Sequence, residues 1–264
     1  DVNVRTSFPT EIILNSPFGD GVLNAAESTA AQTLTGNTGV NFPDQAVTVT
    51  VDGVSYPATV DTLTGSWSVA LLPPALASLQ DGTADIVVTV TDSLGNTASS
   101  TTPIVVDTAA PALDVAIPGD NGVINAQAQN QPLTVSGTAE AGSTLSIVLA
   151  GVTYLTGADV DGNWSLAISP SALQSLPDGK YDITVTATDA GGNQTTSLTP
   201  VTLDTATPAL TIAPVSGDGY LNAAEHDAAL SVAGTADAGS AIVVTLNNVT
   251  YNAVSDANGN WSVS

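Results

Sequence analysis

The feature that most constrains this chain is a tryptophan that recurs at a fixed spacing. Trp67, Trp164 and Trp261 stand 97 residues apart, in the phrases GSWSV, GNWSL and GNWSV. Other phrases recur around them in the same order: GDGVLNAAE, GDNGVINAQ and GDGYLNAAE, then LQDG and LPDG, then DSLGN and DAGGN. Self-similarity at a fixed period indicates repeated structural units. The predicted repeats cover residues 1–107, 108–204 and 205–264.

Each repeat is predicted to be an all-β sandwich. Short alternating stretches such as AVTVTV, TLSIVL and DITVTAT are bounded by Gly, Pro, Asn and Asp, a pattern typical of strands separated by turns. About seven strands in nearly 100 residues match an immunoglobulin-like domain. We therefore predict tandem immunoglobulin-like β-sandwich repeats in an elongated array. The third repeat is incomplete, because Ser264 comes just after its tryptophan strand and the last two strands are missing.

Two details of the repeat carry further expectations. The first repeat has four extra residues before the second begins, which predicts a loop insertion at GNTGVNFPDQ. Each tryptophan has two interpretations, a core ring or an exposed platform for carbohydrate. A large ring at the start of an alternating strand favours the core.

Composition and motifs argue against several functions. The chain has 25 Asp and Glu against two basic residues, Arg5 and Lys180, and this net charge of −23 disfavours nucleic acid and anionic membranes. It has no cysteine for disulfides or thiol catalysis, and no apolar run of about 18 residues for membrane insertion. His226 has no counterpart in the other repeats, and no nucleophile elbow, P-loop or zinc motif is present. We predict that the chain is not an enzyme.

The acidic residues themselves suggest a bound cation. A chain this acidic repels itself unless cations lie among its carboxylates, and oxygen ligands from Asp, Glu, Asn and the backbone suit calcium best. The alternative is that the acids only keep the surface soluble.

The phrases VDTAAP, GDGVLNAAE, DANGNWSV and LPDGKYDITVTATDAGGN resemble the bacterial immunoglobulin-like extender repeats of giant type I-secreted (RTX-type) adhesins of Gram-negative bacteria. The resemblance covers practically the whole chain. It implies a calcium-rigidified spacer, secreted and associated with the exterior of the outer membrane, that supports cell adhesion and biofilm formation. The implied chain is a monomer whose partners are neighbouring repeats, with an adhesive target elsewhere. The alternatives are a glycan- or protein-binding module and an accessory domain of a secreted hydrolase.

Immunoglobulin topology assigns each loop to one of two ends of a repeat. The inlet end, which faces the preceding repeat, should carry the B–C loop (139–143 in the second repeat) and the F–G loop (189–193). The outlet end should carry the A–B loop with its GD…NxxE phrase, the turn before the tryptophan strand and the LPDG turn. Acids of both ends would then crowd around the linker residue Asp107, where opposing carboxylates disfavour folding unless a cation joins them.

Calcium is therefore expected in the linkers and end loops. Arg5 stands where the later linkers have an Asp, and Ala128 stands where the other A–B loops have a Glu, so those two places depart from the pattern. The alternative for the A–B loops is that Asp and Asn only cap turns. The candidate calcium ligands are Asp20, Asn24, Glu27, Asp81, Asp107, Asp120, Asn125, Glu140, Asp189, Asp204, Asp218, Asn222 and Glu225.

Overall fold

The computed structural model describes residues 11–40, 44–116, 118–119 and 121–264. These residues form two compact units. The first unit contains the first repeat and nearly all of the second, and the other contains residues 125–127 and 204–264. None of the helices in the described ranges has the length and apolar character needed to cross a bilayer.

The first repeat forms one continuous sheet that folds over on itself. Its strand order is β1-β3-β6-β5-β4-β7-β8-β2, and β5 closes the sandwich because it pairs with β4 along most of its length and with β6 at its end. The elements are β1 Ile13–Leu14, β2 Val22–Asn24, α1 Ala25–Ser28, β3 Gln32–Asn37, β4 Ala46–Val51, β5 Val54–Val60, β6 Ser66–Leu71, α2 Pro73–Leu76, β7 Gly82–Thr91 and β8 Thr97–Asp107.

The second repeat forms two separate sheets, ordered β10-β16-β15-β12-β13 and β14-β11-β9. Its elements are β9 Leu113–Val115, β10 Val123–Asn125, a 3₁₀ helix Ala128–Asn130, β11 Leu133–Ala139, β12 Thr144–Leu149, β13 Val152–Gly157, β14 Asn163–Ile168, α3 Pro170–Gln174, β15 Gly179–Thr188 and β16 Gln194–Asp204.

The third repeat forms the sheets β17-β18-β21 and β19-β20. Its elements are β17 Leu210–Ile212, a 3₁₀ helix Val215–Gly217, α4 Ala223–His226, β18 Val232–Ala236, β19 Ala241–Leu246, β20 Val249–Val254 and β21 Asn260–Val263. In the second repeat β12 pairs with both β13 and β15. Its counterpart in the third repeat, β19, pairs only with β20 among the described strands. The prediction of tandem all-β sandwich repeats is confirmed.

Alternation along the strands produces the core of each repeat. In β4 and β12 every second residue is buried, as expected for strands with one face toward the facing sheet. The first two repeats have separate clusters of buried side chains, which include Leu34 and Ile86 in the first repeat and Val135 and Ile183 in the second.

Each of the three tryptophans lies in the core of its own repeat and is no more than 4% exposed. Each ring packs across the strand pair onto a glycine, and the register sets Gly137 opposite Trp164 on β11 and β14. A Cβ added to Gly137 would lie 3.0 Å from Cζ2 of Trp164 and would collide with the backbone oxygen of Asp114. The prediction of a core ring is confirmed, and the rings cannot stack on sugars.

The loop insertion lies at the predicted place. In the first repeat β3 ends at Asn37 and β4 begins at Ala46, whereas in the second β11 ends at Ala139 and β12 begins at Thr144. Residues 41–43 of the longer interval lie outside the described residues. The short loop of the third repeat, residues 237–240, matches the second.

The turn before the tryptophan strand lies at the inlet end, so its predicted outlet placement is wrong. The N–H of Thr38, in the B–C loop, donates to the backbone oxygen of Gly65 at 2.9 Å, and the N–H of Ala139 does the same to Gly162 at 2.8 Å. The cause is the antiparallel pairing of β3 with β6 and of β11 with β14. The beginning of each tryptophan strand lies beside the end of its partner, where the B–C loop begins.

Candidate functional site at the junction of the first two repeats

A short parallel strand pair marks the start of the linker. The strand β2 pairs with the last three residues of β8, which sets Asn24 opposite Asp107. Asn24 is also the N-cap of α1: its Oδ1 accepts from the N–H of Glu27 at 3.0 Å, and Oε2 of Glu27 accepts from the N–H of Asn24 at 3.1 Å. This reciprocal arrangement is a capping box. It fixes the A–B loop beside the linker.

Asn193, the last residue of the F–G loop in the second repeat, joins the two repeats. Its Oδ1 accepts from the N–H of Ala25 at 2.9 Å, while its Nδ2 donates to the backbone oxygen of Asp107 at 2.9 Å and to Oδ2 of Asp189 at 3.0 Å. The side chain is only 5% exposed. A buried amide whose donor and acceptor are both used has one orientation. Asn193 therefore fixes three parts relative to one another: the F–G loop of the second repeat, the linker, and the A–B loop of the first repeat.

The F–G loop comes close to the linker because two glycines precede Asn193. A Cβ built on Gly191 would lie 2.9 Å from Oδ2 and 3.3 Å from Cβ of Asp107. Gly192 has a φ of +87°, in the region that favours glycine, and a Cβ there would lie 3.5 Å from Nδ2 of Asn24. The absence of side chains at both positions brings the loop against both sides of the junction.

The carboxylate of Asp107 lies half-buried beside Gly191. Asn193 bonds to the backbone oxygen of Asp107 and not to its carboxylate, and none of the described residues donates a hydrogen bond to that carboxylate. A carboxylate that accepts no hydrogen bond from the described residues keeps its oxygen lone pairs available to a cation. It has the chemistry of a cation ligand.

Asp81, in the outlet turn of the first repeat, bonds to the linker one residue further on. Its Oδ1 accepts from the N–H of Thr108 at 2.9 Å and from the Thr108 hydroxyl at 2.8 Å. These two bonds, the backbone one foremost, lower the pKa of the Asp81 carboxyl below its ordinary value. The linker is therefore attached to the first repeat on one side and to the second repeat, through Asn193, on the other.

Other candidate ligands form local turns. Asp20 accepts from the N–H of Val22 at 2.9 Å, and Asp218 accepts from that of Tyr220 at the same distance. Asn222 and Glu225 repeat the capping box at the start of α4. In the second repeat, where Ala128 replaces the glutamate, a 3₁₀ helix begins at that residue instead. These contacts have the geometry of the turn-capping alternative.

The remaining candidates lie apart from this hydrogen-bond network. Glu140 is exposed, and its N–H donates to the backbone oxygen of Ala112 at 3.1 Å. Asn125 accepts from the N–H of Gln127 at 3.1 Å, and Asp204 accepts from that of Ala206 at 3.2 Å. Asp120 lies outside the described residues.

The direct contacts that join the first two repeats are hydrogen bonds of an amide, and the calcium ligands stay a prediction. Within the described residues, no three Asp, Glu or His side chains converge in a geometry that could hold a metal. An amide bridge takes their place, because Asn193 bonds to Asp189 through its side chain and to Asp107 through the backbone.

The sequence reasoning missed the residues that make the direct contacts, Asn193, Gly191 and Thr108. The candidates were chosen mainly for their charge, whereas Asn193 makes its contacts through a side-chain amide and Gly191 through the lack of a side chain. A signal was present, because DSLGN and DAGGN both end in Asn.

The family of the chain follows from comparison with known domains. A model described as "Bacterial Ig-like domain" matches residues 20–108 and again 109–205, and one described as "Bacterial Ig-like domain (group 3)" matches 162–260. The chain therefore belongs to the bacterial Ig-like domain family, as its resemblance to bacterial immunoglobulin-like repeats indicated. Among curated proteins, none matches this chain.

Several solved structures of adhesins are similar to the chain. One is from a 1.5-MDa bacterial ice-binding adhesin, with 30% identity, 96% of this chain and 85% of that chain covered, and a TM-score of 0.44. Another is a Ca²⁺-stabilized adhesin of an Antarctic bacterium (32%, 96%, 65% and 0.45). A third is a tetra-tandem repeat from the extending region of a large adhesion protein (24%, 96%, 65% and 0.35). The chain thus spans just under two thirds of the second and third structures.

Proposed function

We propose that this chain is a calcium-rigidified extender in a large adhesin on the outer surface of a Gram-negative bacterium, without catalytic activity. The observation that carries the proposal is the bridge from Asn193 to Ala25 and Asp107, because a spacer needs consecutive repeats held at a fixed angle. In this role the partners of each repeat are its neighbours along the same monomeric chain. The adhesive target lies elsewhere, and the extender serves adhesion and biofilm formation by providing length.

Calcium is the proposed reinforcement of this junction. The residues that would hold it are Asp107 and Asp189, which flank the F–G loop contact. Carboxylate and amide oxygens are the ligands that calcium prefers, and it accepts six to eight in flexible geometry, with water and backbone oxygens completing the set. The Asp107 carboxylate fits this role best, since no described residue donates a hydrogen bond to it. A bound cation would also reduce the self-repulsion of a chain with a net charge of −23.

The test compares the full chain in calcium with the full chain in a chelator. Small-angle scattering should give a longer particle with a better-defined length in calcium, and thermal unfolding should occur at a higher temperature, because a ligand that binds only the folded state stabilises it. Magnesium at equal ionic strength is the control for simple charge screening. Identical scattering and melting curves in calcium and in chelator would rule out the calcium part of the proposal.

A further inference from the structure

The F–G loops of the first two repeats are equivalent but differ at two contact positions. Counting 97 residues along the chain relates Asn96 to Asn193, Leu94 to Gly191 and Ala98 to Thr195. The flanking strands agree with this alignment, because β7 and β15 have the same length and so do β8 and β16. The capping interaction within the loop is also shared: Nδ2 of Asn96 donates to Asp92, as that of Asn193 does to Asp189.

Both altered positions contact the preceding linker in the second repeat. Gly191 is buried, and the space where its side chain would be is taken by Asp107 and by the amide of Asn193, whose Nδ2 lies 3.2 Å from a Cβ built there. The hydroxyl of Thr195 donates to the backbone oxygen of Pro111, four residues into the linker, at 2.6 Å. Together with Asn193, these residues hold the linker at its start and near its end.

The first repeat has different side chains at both of these positions. Leu94 projects a four-carbon side chain where Gly191 has none, and it is 66% exposed. Ala98 has no hydroxyl to donate. Neither Leu94 nor Gly191 has a positive φ, so the difference is one of side-chain volume and not of backbone strain. The interval between β3 and β4 at this same end is also longer than the interval between β11 and β12.

We infer that the residue two places before the F–G asparagine determines whether a repeat can form the rigid junction with the repeat before it. Glycine admits a linker aspartate against the loop, and threonine two places after the asparagine then fastens the linker. The second repeat can therefore form a rigid junction with the repeat before it. The first repeat, with Leu94 and Ala98, cannot pack a linker of the DTAAP type in the same way. The linker ahead of it departs as well, with Arg5 at the aspartate position.

This inference deepens the proposed spacer function and rests on it, but it concerns side-chain volume and requires no metal. The inference predicts that Gly191→Leu loosens the junction without unfolding either repeat. This substitution places in the second repeat the residue that the first repeat has at the equivalent position, Leu94. Ala190→Leu is the matched control, because it adds the same side chain at the neighbouring exposed position. Thr195→Ala removes the second contact and Gly191→Ala tests a smaller volume, so the series does not depend on one variant.

The measurement is the distance between spin labels on the two repeats of the full chain. The chain has no cysteine, so Leu63→Cys and Val160→Cys provide two unique labelling sites; these equivalent positions are 84% and 90% exposed. In calcium, the parent and Ala190→Leu should give one narrow distance. Gly191→Leu should give a broad distribution of distances, and Gly191→Ala and Thr195→Ala should give distributions of intermediate width. The unfolding temperatures of the repeats should stay unchanged.

The outcomes separate the inference from the proposed function. A broad distribution in the parent chain, even in calcium, would contradict the rigid spacer itself. A narrow distribution in the parent that stays narrow in folded Gly191→Leu would overturn the inference and leave the spacer standing. If Gly191→Leu unfolds the second repeat, Gly191→Ala and Thr195→Ala decide, and narrow distances in both would overturn it.

Discussion

The side-chain oxygen of Asn193 accepts a hydrogen bond of 2.9 Å from the backbone N–H of Ala25, two residues separated by 168 positions in the chain. Ala25 is the first residue of α1, and the first N–H groups of a helix have no partner within the helix. Asn193 therefore satisfies a donor that would otherwise need water. The repeats are joined by completing the hydrogen bonding of a helix terminus, and this contact does not depend on charge.

Replacing Asn193 by Ala should weaken the junction between the first two repeats. The change removes hydrogen bonds to Ala25, Asp107 and Asp189, and leaving such groups unpaired in a buried place costs about 1–3 kcal/mol. The same spin-label distance should broaden. Asn96→Ala is the control, because Asn96 donates to Asp92 within its own loop. An equal broadening in both variants would mean that the amide does not act across the junction.

Replacing Gly137 by Ala should destabilise the second repeat alone. The new Cβ would collide with the backbone oxygen of Asp114 and press on the ring of Trp164. Overpacking of this kind costs about 1–3 kcal/mol. The measurement is chemical unfolding followed by tryptophan fluorescence. Gly157→Ala is the control, since the nearest atom to a Cβ there is the backbone oxygen of Ser143 at 3.6 Å; comparable losses in both would contradict the packing argument.

Replacing Thr108 by Val should raise the pKa of Asp81 toward its ordinary value. The hydroxyl bond is lost and the backbone bond stays, so part of the lowering should remain. Because the folded-state pKa lies below the ordinary value of 3.8, the contribution of Asp81 to stability is present above about pH 3.8 and is lost as the pH falls through the folded-state pKa. Carboxyl NMR titration gives the value directly.

The pKa of Asp61 serves as the internal reference for that titration. It is lowered by its own turn, chiefly by the N–H of Leu63, and Thr108→Val should leave it unchanged. A rise in both values would indicate a general loosening of the first repeat instead of the loss of one linker bond.

Replacing Asp107 by Asn should reduce the calcium response and retain the contact with Asn193, because that contact uses the backbone oxygen of Asp107. Calorimetric titration should show weaker binding, and the calcium-induced rise in unfolding temperature should shrink. In the parent chain, affinity should fall as the pH approaches about 4, since carboxylate ligands must be ionised to bind. Asp182→Asn, on an exposed position of β15, is the control and should bind calcium as the parent does.

More of the fold than of the junction could be predicted from the sequence. Alternation and the 97-residue period are properties of single strands and of the whole repeat, and they indicated the sandwich, the core position of Trp164 and the longer B–C loop. The turn before the tryptophan strand was assigned to the wrong end because strand pairing, which the pattern does not specify, determines where that turn lies.

The junction depends on features that a sequence pattern expresses only weakly. The role of Gly191 comes from an absent side chain next to Asp107, and that of Thr108 comes mainly from its backbone N–H. Neither depends on the formal charge or metal-ligand chemistry from which the candidate ligands were chosen. The capping boxes at Asn24 and Asn222 were anticipated only as the alternative to a metal loop.

The parallel pairing of β2 with the end of β8 has a mechanical consequence. When a chain of such repeats is pulled, tension from the N-terminal side passes β1, which pairs with β3, before it reaches β2, and it leaves through the linker after Asp107. Two parallel strands pulled from opposite ends slide past each other, so all the hydrogen bonds between them bear the load together. An antiparallel pair pulled at one end would open one bond at a time. The terminal strands of this repeat are therefore arranged to resist stretching by shear.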